Sequence, residues 1–339
     1  PRVDNHGEGI IIDRVQRRRV FVVPFPIRLV AVVLCVVVGS LLGACGDEAS
    51  RARPEGPTRI VVSIPPIAWA VEQLAPEGAE ITVLLAQGQS EHGASLTASD
   101  TTALRNADHV FLVGWGLEAS AERVLRRPAS WQSVHRLSRV VETSSIDLVS
   151  HTVPCDDPSH HHIQHYATDP HAWLDPVAMI EWVRAVGEAL GASEERIEAL
   201  VTECRFIDDE YATALSELER RRIVTHHNAY GWIASRYELE VAAVIRPNEL
   251  LETTPGELNE AVEAVRTHGI DAVFIEPQFS GRAANRLREL TGVRLLTLDP
   301  IGNGDWPATM RANLASLVEG LSRDGEAPDE PAEPVPSPA

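Results

Sequence analysis

The sequence predicts an α/β protein of two (β/α)4 lobes, each on a mainly parallel sheet, joined by a long rigid helix. Short β-branched runs alternate with segments of helical periodicity, from Arg59–Ile64 (RIVVSI) to Val293–Leu298 (VRLLTL). The alternation occurs twice, with four strands in each half. Between the halves, apolar residues fall at Ile197, Leu200, Val201, Cys204, Ile207, Tyr211, Leu215 and Leu218. That spacing predicts one helix over Ser193–Arg221, about 29 residues or roughly 43 Å long. It is long enough to cross between lobes.

Along the chain, the basic stretch Arg14–Arg19 and Arg28 precede the apolar run Leu29–Leu42. A membrane span needs roughly 20 apolar residues, so this shorter run predicts a signal peptide over residues 1–44. It closes in Leu42-Gly43-Ala44-Cys45, the pattern of a bacterial lipobox, with Cys45 as the lipidated residue. Residues 45–57 then form a polar tether to a lobe over residues 58–190. There Arg59–Ile64 predicts a strand, ended by Pro65-Pro66, and Ile67–Leu74 a helix. Glu80–Leu85 is the second strand, followed by a polar loop containing Glu91-His92. Thr97 with Asp100 makes a capping pair for a helix to Asn106. His109–Val113 predicts a strand, Leu117–Arg126 a helix and Val134–Val141 a weaker strand.

Residues 150–166 lack apolar periodicity and hold His151, His160, His161, His162 and His165, which predicts an exposed histidine-rich loop able to bind metal weakly. A helix follows over Val177–Leu190. The second lobe, residues 222–322, offers strands at Arg222–Thr225, Glu240–Ile245, Asp271–Glu276 and Val293–Leu298. Its clearest helix start is Thr254-Pro255-Gly256-Glu257, with a capping hydroxyl, a first-turn proline and an acid at the third position. Other helices are predicted at Asn228–Tyr237, Ser280–Leu290 and Asp305–Leu321. Residues 323–339 are acidic and proline-rich, a composition of disorder.

Composition narrows the function. The chain of 339 residues is 44% hydrophobic with a formal net charge of −19, and every basic side chain is arginine. That balance excludes a nucleic-acid-binding face and electrostatic docking to anionic lipid. Past the signal segment two cysteines remain, Cys155 and Cys204; an oxidising compartment permits a disulfide between them, and the alternative is two separate thiols.

His171 sits between Asp169-Pro170 and Asp175-Pro176, where each proline stiffens the turn around it. His92 follows the second strand, His227 the first strand of the second lobe, and Asp299 the last. In open α/β sheets ligands bind at the carboxyl ends of strands, so these four residues, two per lobe, predict a site in the interlobe cleft. Three imidazoles and a carboxylate suit tetrahedral Zn2+ and leave one residual positive charge. Glu91 is the alternative fourth ligand, with Asp299 then orienting a histidine. His226 reads as a neighbour of the site, Glu276 as a helix cap or salt-bridge partner, and Trp173 and Trp232 as cleft-wall packing. His109, His135 and His268 read as structural or surface residues.

His92 to Asp100 (HGASLTASD), Asp169 to Pro176 (DPHAWLDP), His227 to Trp232 (HNAYGW), Glu276 to Ser280 (EPQFS) and Leu298 to Gly302 (LDPIG) together resemble the zinc and manganese solute-binding proteins of bacterial ABC transporters, over roughly residues 58–322. The first motif lacks that family's usual Tyr-Glu-Pro centre, and the second carries Asp169 where Asn is usual. The resemblance implies two β/α lobes about a rigid helix, and a lipid-anchored monomer that captures a metal outside the cytoplasmic membrane. It also implies a partner, a membrane permease driven by a cytoplasmic ATPase. His227 where manganese members tend to carry Glu, and the histidine-rich loop, favour zinc, with Mn2+ as the alternative. A zinc hydrolase would need a general base and substrate pocket, and neither HExxH nor Gly-x-Ser-x-Gly occurs. A metal-stabilised adhesin is the remaining alternative.

Overall fold

The computed structural model describes residues 53, 55–85, 88–92, 95–144, 146, 147, 150, 151, 167–247 and 252–322. The signal peptide with Cys45, the tether up to residue 52, Cys155, His160, His161, His162, His165 and the tail from 323 lie outside the described residues. Only the backbone of His151 is described. Among the described residues no helix is long and apolar enough to cross a membrane.

The first lobe alternates β1 (Arg59–Val62), α1 (Pro65–Leu74), β2 (Glu80–Val83), α2 (Ala98–Asn106), β3 (His109–Leu112), α3 (Ala119–Val124), β4 (Ser133–Arg136) and α4 (Ser138–Thr143). Its strands pair in parallel in the order β2-β1-β3-β4. A two-residue antiparallel pair follows, β5 (Ser150–His151) with β6 (Ala167–Thr168), then a 3-10 turn at Ala172–Leu174. Next come α5 (Pro176–Leu190) and α6 (Glu194–Ser216). The second lobe runs β7 (Arg222–Thr225), α7 (Gly231–Arg236), β8 (Glu240–Val244), α8 (Pro255–His268), β9 (Ala272–Ile275), α9 (Arg282–Thr291), β10 (Arg294–Thr297) and α10 (Trp306–Leu321). Its parallel order, β10-β9-β7-β8, repeats that of the first sheet when each lobe is counted from its own first strand. In both sheets the chain reverses winding direction beside the first strand, where β/α sheets open a crevice.

Local chemistry explains the ends of the elements. Thr97 with Asp100, and Thr254 with Glu257, form the reciprocal capping boxes expected of them. The predicted strand over Val134–Val141 is instead β4 followed by α4. Leu137 and Val141 are both buried four residues apart, which is helical spacing within the stretch that the flanking valines mark as strand. The helix between the lobes is shorter than predicted. Its buried stripe runs from Ile197 to Leu215, and the chain then turns, Leu218 N donating to Leu215 O. His171 follows β6, not a strand of the main sheet.

Both lobes fall within one compact unit of the chain. One buried cluster runs from Ile60 and Val62 of β1 through α1, α5 and α6 to Met310 and Leu317 of α10. Polar tips of several buried aromatics stitch across it, each finding a backbone carbonyl. Trp173 Nε1 donates to Pro300 O at 2.6 Å, Trp306 Nε1 to Trp173 O at 2.8 Å, and Tyr211 Oη to Met310 O at 2.7 Å. The rings of Trp69 and Trp306 lie 5.1 Å apart between centroids. Cys204 is a free thiol at 0% exposure in this core, and burial pushes its pKa up.

Candidate metal centre

His171 is set by a local turn. Asp169 Oδ1 accepts from His171 N at 2.9 Å and lies 2.6 Å from His171 Nδ1. One carboxylate oxygen therefore fixes both the backbone and the ring. The turn closes with Ala172 N donating to Pro170 O, and the 3-10 residues bury Trp173 and Leu174. Asp175 then caps α5 through Val177 N and pairs with Arg236 of α7 at 2.5 and 2.6 Å. His171 is thus fixed from both sides and from both lobes.

His227 is set across strands. It follows β7, and Glu276 follows β9, which pairs beside it at Thr225 and Phe274. Glu276 Oε1 lies 2.5 Å from His227 Nδ1 and accepts from His227 N at 3.2 Å. The arrangement matches that of Asp169 with His171, built here from residues 49 positions apart. In each case the carboxylate faces Nδ1, so that Nε2 is the nitrogen presented to a metal.

The Nε2 edges converge. His171 Nε2 lies 3.0 Å from His92 Nε2 and 3.3 Å from His227 Nε2. Glu91 Oε1 lies 3.2 Å from His171 Nε2 and 3.6 Å from His227 Nε2. One ligand atom from each of Glu91, His92, His171 and His227 falls within 4.8 Å of all the others. A tetrahedron with metal–nitrogen bonds of about 2.0–2.1 Å has edges of roughly 3.3 Å, which these spacings approach. Glu91, His171 and His227 are buried and His92 half-buried. Both Glu91 oxygens are buried without a hydrogen bond, so the contact with His171 is an ion pair whose geometry is wrong for an N–H donor.

Charge dominates the pocket. Burial pushes His171 toward the neutral form, but Asp169 and Glu91 outweigh it and hold its pKa up at about 10. Burial likewise raises Glu91, and His171, His227 and His92 outweigh it, holding it down at about 2. Without metal the site is therefore an ion pair of carboxylate and imidazolium. A binding cation has to displace that proton.

Asp299 is placed differently from the expectation. Its Oδ1 accepts from Gln278 Nε2 at 2.7 Å and from Ile301 N and Gly302 N at 3.0 Å each. Asn313 clamps its backbone N and O at 2.8 Å each. It closes the turn after β10 and is not among the four converging groups; Glu91 is. Of its two expected roles Glu276 takes the second, pairing with His227, and not that of a cap. His226 is buried, and burial, then His227 and Arg246, push its pKa down to about 4. Trp173 and Trp232 are buried packing residues, as expected, and His109 and His135 stack together on the first sheet. The orienting roles of Asp169 and Glu276 were missed. Asp169 carried a usable signal, a carboxylate two residues before the histidine, whereas the EPQFS run marked Glu276 without naming its histidine, which only the strand order reveals.

Comparison with known proteins agrees with this architecture. The zinc-binding lipoprotein AdcA of Streptococcus pneumoniae is 22% identical over 318 residues, covering 88% of this chain. The chain spans 62% of the length of that relative. The manganese-binding lipoprotein MntA of Halalkalibacterium halodurans is 24% identical over 314 residues, covering 85% of this chain and 97% of its own. The solved structure of the periplasmic zinc-binding protein TroA from Treponema pallidum superposes with a TM-score of 0.68 at 22% identity, over 79% of this chain and all of the other. Residues 60–320 match the family described as zinc-uptake complex component A, periplasmic (ZnuA). On that match the chain belongs to the ZnuA family, the metal-binding solute-binding proteins of ABC transporters, whose members are transport proteins and not enzymes.

Proposed function

We propose that this chain captures Zn2+ outside the cytoplasmic membrane, in a site made by His92, His171, His227 and Glu91, and delivers it to an ABC permease for import. The observation that carries the reading is the convergence of three imidazole Nε2 atoms and one carboxylate within 4.8 Å. Three nitrogens and one oxygen at tetrahedral spacing suit zinc; manganese is harder and takes more oxygen. Glu91 replaces Asp299 as the fourth ligand, because Glu91 and not Asp299 is among the converging groups, and Asp299 Oδ1 is engaged by three donors. Asp169 and Glu276 change the electrostatics expected from sequence. With Glu91 they put three buried carboxylates around the dication, so the loaded site carries one negative charge rather than one positive. That raises the attraction for a cation and makes release the harder step. Lipid anchoring through Cys45 and a first, loose collection of zinc by His151, His160, His161, His162 and His165 complete the proposal.

The test is metal content and competition on the chain from Gly46 onward, beside His227→Ala. One tight zinc per chain, outcompeting manganese and lost in the variant, is the expected result. Preference for manganese would overturn the metal, and a tight site indifferent to His227 would overturn the ligands.

A further inference from the structure

Most indoles that join the lobes are buried, but Trp115 is half-exposed. It follows β3 in the first lobe, in the sequence Gly114-Trp115-Gly116, where three successive residues have positive φ, +98°, +47° and +89°. Left-handed backbone is unfavourable for a side chain as large as tryptophan, and where it persists the surrounding structure imposes it. Here the constraints are visible. Glu118 accepts from Val113 N at 2.7 Å and from Gly114 N at 3.0 Å. A Cβ on Gly114 would meet Ser138 Oγ at 2.2 Å, so only glycine passes beneath α4 at that point. The turn thus aims the indole at one place. Its Nε1 donates to Glu142 Oε1 of α4 at 2.7 Å, and its ring lies on Trp232 of the second lobe, centroids 6.0 Å apart and planes 29° from parallel.

Trp232 links this stack to the metal centre. It lies in α7, which begins four residues after His227, and its own Nε1 donates to Asp169 O at 2.9 Å. Asp169 is the residue whose side chain orients His171. The indole of Trp232 is 1% exposed, with Trp115 lying over it. Trp115 therefore covers a residue that, beside the Asp175–Arg236 pair, ties the His171 turn of the first lobe to the His227 helix of the second.

We infer that Trp115 is a positioning residue that sets the rate of metal release, by clasping Trp232 and keeping the Asp169–His171 turn closed on His227. The inference rests on the site proposed above. The clasp touches no metal ligand, so it acts on the lifetime of the closed arrangement. Loss of one aromatic stack corresponds to about a tenfold change in that lifetime.

The experiment loads the exported chain with Zn2+ and follows its transfer to a chromophoric chelator by stopped flow, for wild type, Trp115→Ala and Trp115→Phe. Zinc stoichiometry and the melting temperature of the metal-free forms are measured alongside. The inference expects full stoichiometry in all three, release about tenfold faster in Trp115→Ala, and slow release largely restored by Trp115→Phe. Melting of the metal-free forms stays close to wild type, because Trp115 is half-exposed. Release within twofold of wild type in Trp115→Ala overturns the clasp. So does faster release that Phe does not restore and that tracks a drop in melting temperature, since that outcome makes Trp115 a fold-stabilising residue only. Absence of zinc from the wild type sinks the proposed metal site instead, and is read separately from the stoichiometry.

Discussion

Replacing Asp169 by Asn isolates one charge at the centre of the site. Asn keeps an oxygen at the Oδ1 position, so the turn to His171 N, 2.9 Å in the native chain, survives and the protein folds. What is lost is a buried carboxylate 2.6 Å from His171 Nδ1. Two effects oppose each other. The carboxylate raises the proton affinity of His171, so its loss weakens the proton that competes with metal. It also attracts the metal, which carries twice the charge of a proton at a similar distance, so metal binding loses more. A hydrogen bond to a charged group contributes about 1 kcal/mol more than its neutral counterpart. Carboxylates that orient ligand histidines change metal affinity by about 10–100-fold. The net expectation for Asp169→Asn is zinc binding about 10–100-fold weaker at pH 7.

The pH profile separates the two effects. A pKa of about 10 for His171 means that, below that pH, metal must expel a proton. Affinity therefore rises with pH, by about tenfold per unit for this one proton, and levels off near the pKa. In Asp169→Asn the levelling moves to lower pH and fewer protons are released at pH 8. Titration calorimetry in two buffers of different ionisation enthalpy counts them. Unchanged affinity together with an unchanged proton count would refute the reasoning, because Asp169 would then have no electrostatic hold on His171.

Glu91→Ala and Asp299→Ala divide the fourth-ligand question. Removing Glu91 lowers zinc affinity by about a hundredfold, whereas removing Asp299 leaves affinity largely intact and costs about 1–3 kcal/mol of stability in urea unfolding, through the donors Gln278, Ile301 and Gly302. The reverse pattern restores Asp299 as ligand. Deleting residues 150–166 leaves one tight zinc per chain by equilibrium dialysis; loss of the tight site would show the loop to be part of it. In Gly187→Ala the new methyl meets Ile197 Cγ1 at 2.4 Å where α5 packs on α6. It lowers stability by about 1–3 kcal/mol in chemical denaturation without changing zinc stoichiometry.

The alternation of strand and helix was legible because the elements carried their own periods and several helices their own caps. Thr254, Pro255 and Glu257 define a helix start by local chemistry alone. The failures came where local signals compete. Val134–Val141 opens and closes on valine, which reads as a strand, and only the burial of Leu137 and Val141 on one face shows the turn into helix. In the site, His92, His171 and His227 were readable from their place after strands and within stiff turns. The fourth group was not, because Glu91 and Asp299 both offer a carboxylate at a strand end. What separates them is the destination of Asp299 Oδ1, three donors reached from residues 278, 301 and 302. Glu276 was opaque for a related reason, since its partner lies one strand over.

The last helix carries a consequence for the order in which the chain can fold. Trp306, Met310 and Leu317 of α10 belong to the same buried cluster as Ile60, Val62 and Trp69 near its beginning. The first lobe therefore has no finished interior until the final described element arrives. Contacts of such long sequence separation form late and slowly. A chain threaded amino-terminus first through a membrane channel, as the proposed export requires, would stay pliable during passage and close only after its carboxyl-terminal helix had cleared the pore.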